Sequence, residues 1–564
     1  MHRQHGRIEV LMRIKIGGAL MLAVTLSARQ PEHALHAMVG TQEPLAADVG
    51  LRVLQAGGNA IDAAVAIGFA LAVTYPFAGN IGGGGFMLAR FADGRATFID
   101  FREKAPLAAT RNMYLDSKGN VSEDSLVGWR AAGVPGTVRG LELAHKKYGH
   151  KPWGELLNPA VQLASEGFPV SYSFDASLHG ESAKLLSQFP ESKRILLSAH
   201  YGDKFVQPEL AATLKRIRDR GASDFYDGET AQKLAAAMAA HGGLITLADL
   251  KAYQAEESEP LRGHYHGDEI ITAPPPSAGG VGLLQMFGML EGSGYEKTGA
   301  GSAASIHYVA EVMRRFYADR SEYFGDPDFY KVPIKKLLDP KYIASRRDSI
   351  DPLHATPSTQ IRPGSINIRE GTETTHFNIV DSEGNAVAVT YTLNNGYGSG
   401  VTVPGLGFLL NDEMDDFASK PGTENLFHLI QGESNAIQAG KRPVSSMTPT
   451  MLVRDGKLFL VLGAPGGSRI INGVLQVILN VVDFHMNVQD AVDWPRFHHQ
   501  WMPDVLYVQK GISPDTVKLL RDMGHNVSVL DPTSGVAQVE AILNDGGWLQ
   551  GASDPRGNGK AEGY

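Results

Sequence analysis

Cysteine is absent from the 564-residue chain. That excludes disulfides, thiolate zinc sites, iron–sulfur clusters and a cysteine nucleophile. Covalent catalysis, if there is any, must use Ser, Thr, Lys or a carboxylate. A basic excess is missing too. Lys and Arg number 52 against 61 Asp and Glu, a net charge of −9, whereas a nucleic-acid binder usually carries a basic face. Beyond the N-terminal region no apolar run is long enough for a membrane span of about 20 residues. The phosphate-loop signature is absent as well: Gly82-Gly83-Gly84-Gly85 lacks the Lys-Ser/Thr and precedes a strand pattern. Close backbone packing explains that glycine run better. His498-His499 cannot share a helix face, and no metal-ligand pattern accompanies the pair. For these two and for His376 a structural, hydrogen-bonded role is expected. No Gly-x-Ser-x-Gly elbow stands at a strand-to-helix turn. No cofactor and no metal are expected.

What is present describes a folded, exported protein. Hydrophobic residues make up 43% and charged residues 20%, a balance that excludes a disordered chain. Arg13 and Lys15 precede an apolar run over 16–28 that ends in Leu26-Ser27-Ala28. This is the pattern of an export signal, with Met12 as an alternative start, and it places the mature protein in the periplasm or outside the cell. Residues 44–74 read as two helices separated at Gly57-Gly58, the second over 60–73.

Four strand–turn–strand units follow, each with a glycine in the turn: 86–91 with 96–101, 376–380 with 386–393, 451–453 with 457–462, and 539–543 with 547–551. Their apolar runs are nearly continuous, so both faces of the sheets are expected to be covered. Residues 133–325 read as mostly helical, with helices at 138–148, 153–166, 229–241 and 303–324. From 330 to 373 the chain reads as an extended loop. The expected class is α+β, helices packed on one or two mainly antiparallel sheets, in two sequence halves meeting near residue 373.

The chemistry concentrates at that junction. In Gly371-Thr372-Glu373-Thr374-Thr375-His376 hydroxyl residues stand at the start of a strand. A cut before such a threonine would place a new α-amine beside its own hydroxyl. An α-amine has a pKa of about 7.7–8.0, so one residue could then supply both nucleophile and base. Residue chemistry alone leaves Thr372, Thr374 and Thr375 open. Downstream come Asn394-Asn395-Gly396, Glu413-Met414-Asp415-Asp416, Arg442-Pro443-Val444-Ser445-Ser446-Met447 and Pro465-Gly466-Gly467-Ser468-Arg469. A Gly-Gly pair after a strand can offer backbone N–H groups to an oxyanion. Carboxylates can hold an ammonium group, and hydroxyls with an arginine such as Arg102 can hold a carboxylate.

Together with Gly79-Asn80-Ile81 before the glycine run, Asp100–Pro106, Pro274–Gly280 and Ser553-Asp554-Pro555-Arg556-Gly557, these stretches resemble the γ-glutamyltranspeptidase (glutathione hydrolase) family of N-terminal-nucleophile hydrolases. The resemblance runs from about Ala34 to the C-terminus. It implies a four-layer αββα sandwich with two mainly antiparallel sheets. It also implies a precursor that cuts itself between Glu373 and Thr374, after loss of residues 1–28. The large (29–373) and small (374–564) subunits would stay associated in one domain. Thr374 would then attack the γ-carbonyl of glutathione or a related compound. Water, an amino acid or a dipeptide would accept the γ-glutamyl group.

The resemblance further implies that Thr392 hydrogen-bonds the nucleophile and that the N–H groups of Gly466 and Gly467 form the oxyanion hole. Arg102, Ser445 and Ser446 would hold the α-carboxylate; Asn394, Glu413 and Asp416 the α-amino group. Residues 421–435 match a lid loop in which Phe427 replaces the Tyr of some relatives. Glu413 is Gln in some members. The competing readings are an acylase of glutaryl-type amides such as cephalosporin side chains, a poly-γ-glutamate transpeptidase, and an inactive, uncleaved binding protein.

Overall fold

The computed structural model describes residues 29–362, 373–420, 432–531 and 535–564. The expected export segment, Thr372 and Phe427 lie outside the described residues.

Two seven-stranded sheets form the centre. One runs, in spatial order, Glu32–Ala34, Leu549–Ser553, Glu540–Asn544, Lys457–Gly463, Thr450–Arg454, Asp268–Thr272 and Leu261–Tyr265. The other runs Lys560–Gly563, Met38–Thr41, Glu373–Val380, Ala386–Asn394, Gly84–Arg90, Ala96–Phe101 and Glu256–Ser258. Every pairing within them is antiparallel. The four anticipated hairpins supply eight of these strands, two hairpins to each sheet. Their turn glycines, Gly94, Gly384, Gly456 and Gly546, all have positive φ, which a residue without Cβ adopts at no steric cost.

The continuous apolar runs have the expected cause. Met87 and Ala89 pack with the helices Pro44–Gln55, Ala60–Thr74, Thr137–Tyr148 and Trp153–Glu166. Phe86 and Leu88, one residue out of phase, pack between the sheets. Gly279–Leu290, Ala303–Tyr323 and Arg469–Val482 cover the outer face of the first sheet. The layers are helix, sheet, sheet, helix: the αββα sandwich. No helix among the described residues is long and apolar enough to cross a membrane.

Two expectations need correction. The stretch 330–373 is not one extended loop, because helices occupy Ile334–Leu337 and Pro340–Asp348. Asp339 accepts from the N–H groups of Lys341 and Tyr342, and Pro340 sits in the first turn, so a capped helix forms in a polar sequence. The helical stretch 133–325 also contains the strands Glu256–Ser258, Leu261–Tyr265 and Asp268–Thr272. They lie at or next to sheet edges, where strands carry charge and little apolar pattern.

Candidate functional site

Thr374 lies in the strand Glu373–Val380, directly after Glu373, and is 4% exposed. Glu373 pairs with Asn394 and Thr375 with Tyr391. One residue, Thr374, therefore faces two, Thr392 and Leu393: a β-bulge, which bends the strand and re-aims side chains. Asn394 closes the bulge with φ +79°, and its N–H donates to Thr392 Oγ1 at 2.8 Å.

The glycine run holds this place from behind. A Cβ on Gly83 would stand 2.0 Å from the Thr392 carbonyl oxygen, and one on Gly82 2.1 Å from that of Leu409. Asn80 reads the gap: its Nδ2 donates to Thr392 O at 2.9 Å while its Oδ1 accepts from Gly83 N. The run therefore serves backbone packing.

Arg102, the residue after the strand Ala96–Phe101, is 1% exposed. Its Nη1 donates to Glu413 Oε1 and its Nη2 to Asp416 Oδ2. Glu103 Oε2 is 3.6 Å from Nη1. The guanidinium also donates to the Val444 carbonyl at 3.1 Å. Burial disfavours its charge, but the carboxylates of Glu413, Asp416 and Glu103 outweigh burial and raise its pKa. Burial pushes Glu103 up to about 7 and Glu413 well above the ordinary carboxyl range. Cation and anions thus meet in one buried cluster.

Residues around the predicted ones hold this cluster. Asn411 Oδ1 accepts from Glu413 N at 3.0 Å, and its Nδ2 donates to Gly82 O and Gly133 O at 2.8 Å. Asn395 N donates to Asp412 Oδ1 at 2.9 Å, and Asn394 Nδ2 to the Asp412 carbonyl at 3.1 Å. Asn435 joins the Asp416 carbonyl, at 2.6 Å, to the Val444 N–H, at 3.0 Å. Arg442 pairs with Asp100 at 2.9 Å and Asp326 at 2.8 Å. Asp100, Glu103, Asn395 and Arg442 fall inside the stretches quoted above without a role of their own, whereas Asn411 and Asp412 only adjoin residues already named.

Ser445 and Ser446 are buried in the next turn of chain. The segment 274–280 braces them: Ser445 N donates to Pro276 O at 3.1 Å, and Ala278 N to Ser445 O at 2.8 Å. Ser446 Oγ accepts from Arg320 Nη2 at 3.1 Å.

Gly466 and Gly467 link the strand Lys457–Gly463 to the helix Arg469–Val482, with φ of +133° and +55°. Their carbonyls accept from Arg469 and Ile470, so their N–H groups lie at a helix N-terminus, where the dipole favours negative charge. The strand that leads into this loop packs against the strand that carries Thr374. A Cβ on Gly463 would stand 2.2 Å from the His376 ring, two residues beyond Thr374.

His376 itself bonds Thr390 Oγ1 at 2.8 Å and Asn378 Oδ1 at 2.9 Å, and burial pushes its pKa down to about 3. His498 lies between Asn472 and Gln500, and His499 faces Asp504 at 3.3 Å. All three histidines are structural in this arrangement.

These elements present a hydroxyl on a bulged strand, a buried arginine–carboxylate cluster and a glycine loop at a helix N-terminus. A glutathione hydrolase proenzyme of Pseudomonas sp. (strain A14) is 48% identical over 555 residues, covering 96% of each chain. A solved γ-glutamyltranspeptidase of Pseudomonas nitroreducens complexed with L-DON is 47% identical, with TM-score 0.55, and covers 57% of this chain and 96% of its own. The crystal structure of a cephalosporin acylase from Bacillus halodurans superposes with TM-score 0.84 at 26% identity, over 95% of this chain and 97% of that one. The family model for γ-glutamyltranspeptidase matches residues 46–564, and with these relatives it makes the chain a member of that family.

Proposed function

We propose that the protein is a self-processing γ-glutamyltransferase and glutathione hydrolase. The observation that carries this reading is the buried pairing of Arg102 with both Glu413 and Asp416. A γ-glutamyl head is a zwitterion. Its α-carboxylate competes for the guanidinium, supported by Ser445 and Ser446. Its α-ammonium takes over the released carboxylates and the side-chain carbonyl of Asn394. Charge stays balanced at each stage, so a polar head enters a dry site without leaving an ion unpaired.

Processing starts with Thr374 Oγ adding to the Glu373 carbonyl carbon. The peptide C–N bond breaks, the nitrogen takes the hydroxyl proton, and an ester remains for water to hydrolyse. The freed α-amine, with a pKa of about 8, then accepts the Thr374 hydroxyl proton as Oγ attacks a γ-carbonyl. Thr392 hydrogen-bonds the nucleophile, and the N–H groups of Gly466 and Gly467 receive the oxyanion. The leaving amine takes the proton. The γ-glutamyl ester passes to water or to an amino acid or dipeptide amine.

Residues 29–373 and 374–564 form the two subunits. The solved relative whose chain covers little more than half of this one supports that division. Arg13, Lys15 and the apolar run behind them support export to the periplasm or beyond.

Intact mass under denaturing conditions, with N-terminal sequencing, tests the processing. Two chains are expected, one beginning Thr374-Thr375-His376, and Thr374→Ala should give one uncut chain. Normal cutting in that variant would falsify the assignment. Hydrolysis of γ-glutamyl p-nitroanilide against glutaryl p-nitroanilide separates this activity from an acylase, which has no need of the anionic clamp.

A further inference from the structure

Behind the site runs the helix Ala303–Tyr323, and two of its buried side chains reach the two halves of the site separately. Arg320, 1% exposed, donates from Nη2 to Ser446 Oγ at 3.1 Å. Tyr317, one turn earlier and 3% exposed, donates its hydroxyl to the Ser468 carbonyl. Ser468 follows the Gly466-Gly467 pair directly. Residues three apart share a helix face, so one rigid element touches both loops.

The chemistry of each contact is specific. A serine hydroxyl has one hydrogen and two acceptor positions. Arg320 fills an acceptor position of Ser446, which leaves the O–H to be donated outward. A bond from a guanidinium is charge-assisted, and the buried cation adds a favourable potential for a second anion nearby. Burial pushes the Arg320 pKa down, to about 10, and Tyr317 and Asp416 oppose that shift. At the other end the Tyr317 hydroxyl fixes the peptide that follows the glycine pair. Ser468 Oγ donates to Gln500 Oε1 at 2.9 Å, and His498 Nε2 bonds the same oxygen at 2.8 Å. The ring of Tyr317 meets His498 edge-on at 5.8 Å.

We infer that Arg320 is a positioning residue for the donor's α-carboxylate, acting through Ser446, and that Tyr317 positions the oxyanion loop through Ser468. The inference rests on the γ-glutamyl reading above and deepens it. One helix sets donor recognition and turnover by separate contacts.

Three p-nitroanilide donors test it: γ-glutamyl, glutaryl (no α-amine) and 4-aminobutanoyl (no α-carboxylate). Wild type, Arg320→Met, Arg320→Lys and Tyr317→Phe are compared after intact mass confirms two chains. Arg320→Met should raise KM for γ-glutamyl and glutaryl donors about tenfold or more, with kcat held within about twofold. It should leave kcat/KM for the 4-aminobutanoyl donor unchanged, and Arg320→Lys should recover part of the loss. Tyr317→Phe should lower kcat for all donors about fivefold or more, with KM unchanged. Where Arg320→Met fails to fold or cut, Arg320→Lys carries the same test, with a smaller effect of the same donor dependence. For the Arg320 variants an equal loss on donors with and without the carboxylate, or no loss, overturns the inference, and so does an unchanged kcat in Tyr317→Phe; each leaves the activity standing. A wild type inert toward the γ-glutamyl donor overturns the activity reading itself.

Discussion

Three carboxyl groups crowd one guanidinium at the centre of the site, and their titration sets how the residue network responds to pH. Glu103 is buried, and burial raises its pKa to about 7, above the unfolded value of about 4.3. A raised carboxyl is neutral in both states at low pH, and its stabilising share is lost as pH rises through the folded pKa. Glutamine cannot ionise. Glu103→Gln should therefore gain in Tm relative to wild type between pH 5 and pH 8.5, measured by thermal unfolding; a flat or shrinking difference would contradict this. The opposite sign holds for Arg102→Ala. Removing the cation leaves Glu413 and Asp416 buried without it, at a cost of about 3–5 kcal/mol near neutral pH. The cost should be smaller at pH 5 than near neutral pH, because burial favours the neutral form of Glu413. Urea unfolding at the two pH values checks this, and KM for a γ-glutamyl anilide should rise in the same variant.

The hairpins were readable in advance because turn glycines and β-rich runs are local features. So were the helices at 44–74 and 303–324, whose caps and spacing are contiguous in the chain. The edge strands at 256–272 were not, since an edge strand's identity comes from the neighbour it pairs with. The site shows the same division. Thr374, Arg102 and Gly466-Gly467 could be picked out by type and by family pattern. Asn411 and Asn435 could not, because their work is to tie together carbonyls and N–H groups from distant segments. The glycine run belongs between the two cases: its packing role was legible, its partner was not. Gly83→Ala would drive a Cβ into the Thr392 carbonyl, which is main chain and cannot swing away. The variant should lose about 3 kcal/mol or more and remain largely uncut. Gly94→Ala, in a turn with open space around it, should cut normally and lose only about 1 kcal/mol to its positive φ. Gel analysis of processing beside urea melts distinguishes the two.

Across the whole molecule, the proposed cut falls between segments that both sheets share. The first sheet takes Glu32–Ala34, Asp268–Thr272 and Leu261–Tyr265 from before residue 374 and its other four strands from after it. The second takes Lys560–Gly563, Glu373–Val380 and Ala386–Asn394 almost wholly from after the cut, with Met38–Thr41 inserted between the first two of these. Neither fragment retains a complete sheet, so the cut protein should elute as one species in native size exclusion and separate only in denaturant. Interleaving of this kind also changes the kinetic order of folding. The uncut chain collapses by a first-order process, whereas the cut protein, once unfolded, must find its other half in a second-order encounter. Recovery after denaturant dilution should be independent of protein concentration for Thr374→Ala and should fall on dilution for the processed enzyme. The proposed cut would thus exchange a protein that can repair itself for one that folds well only once.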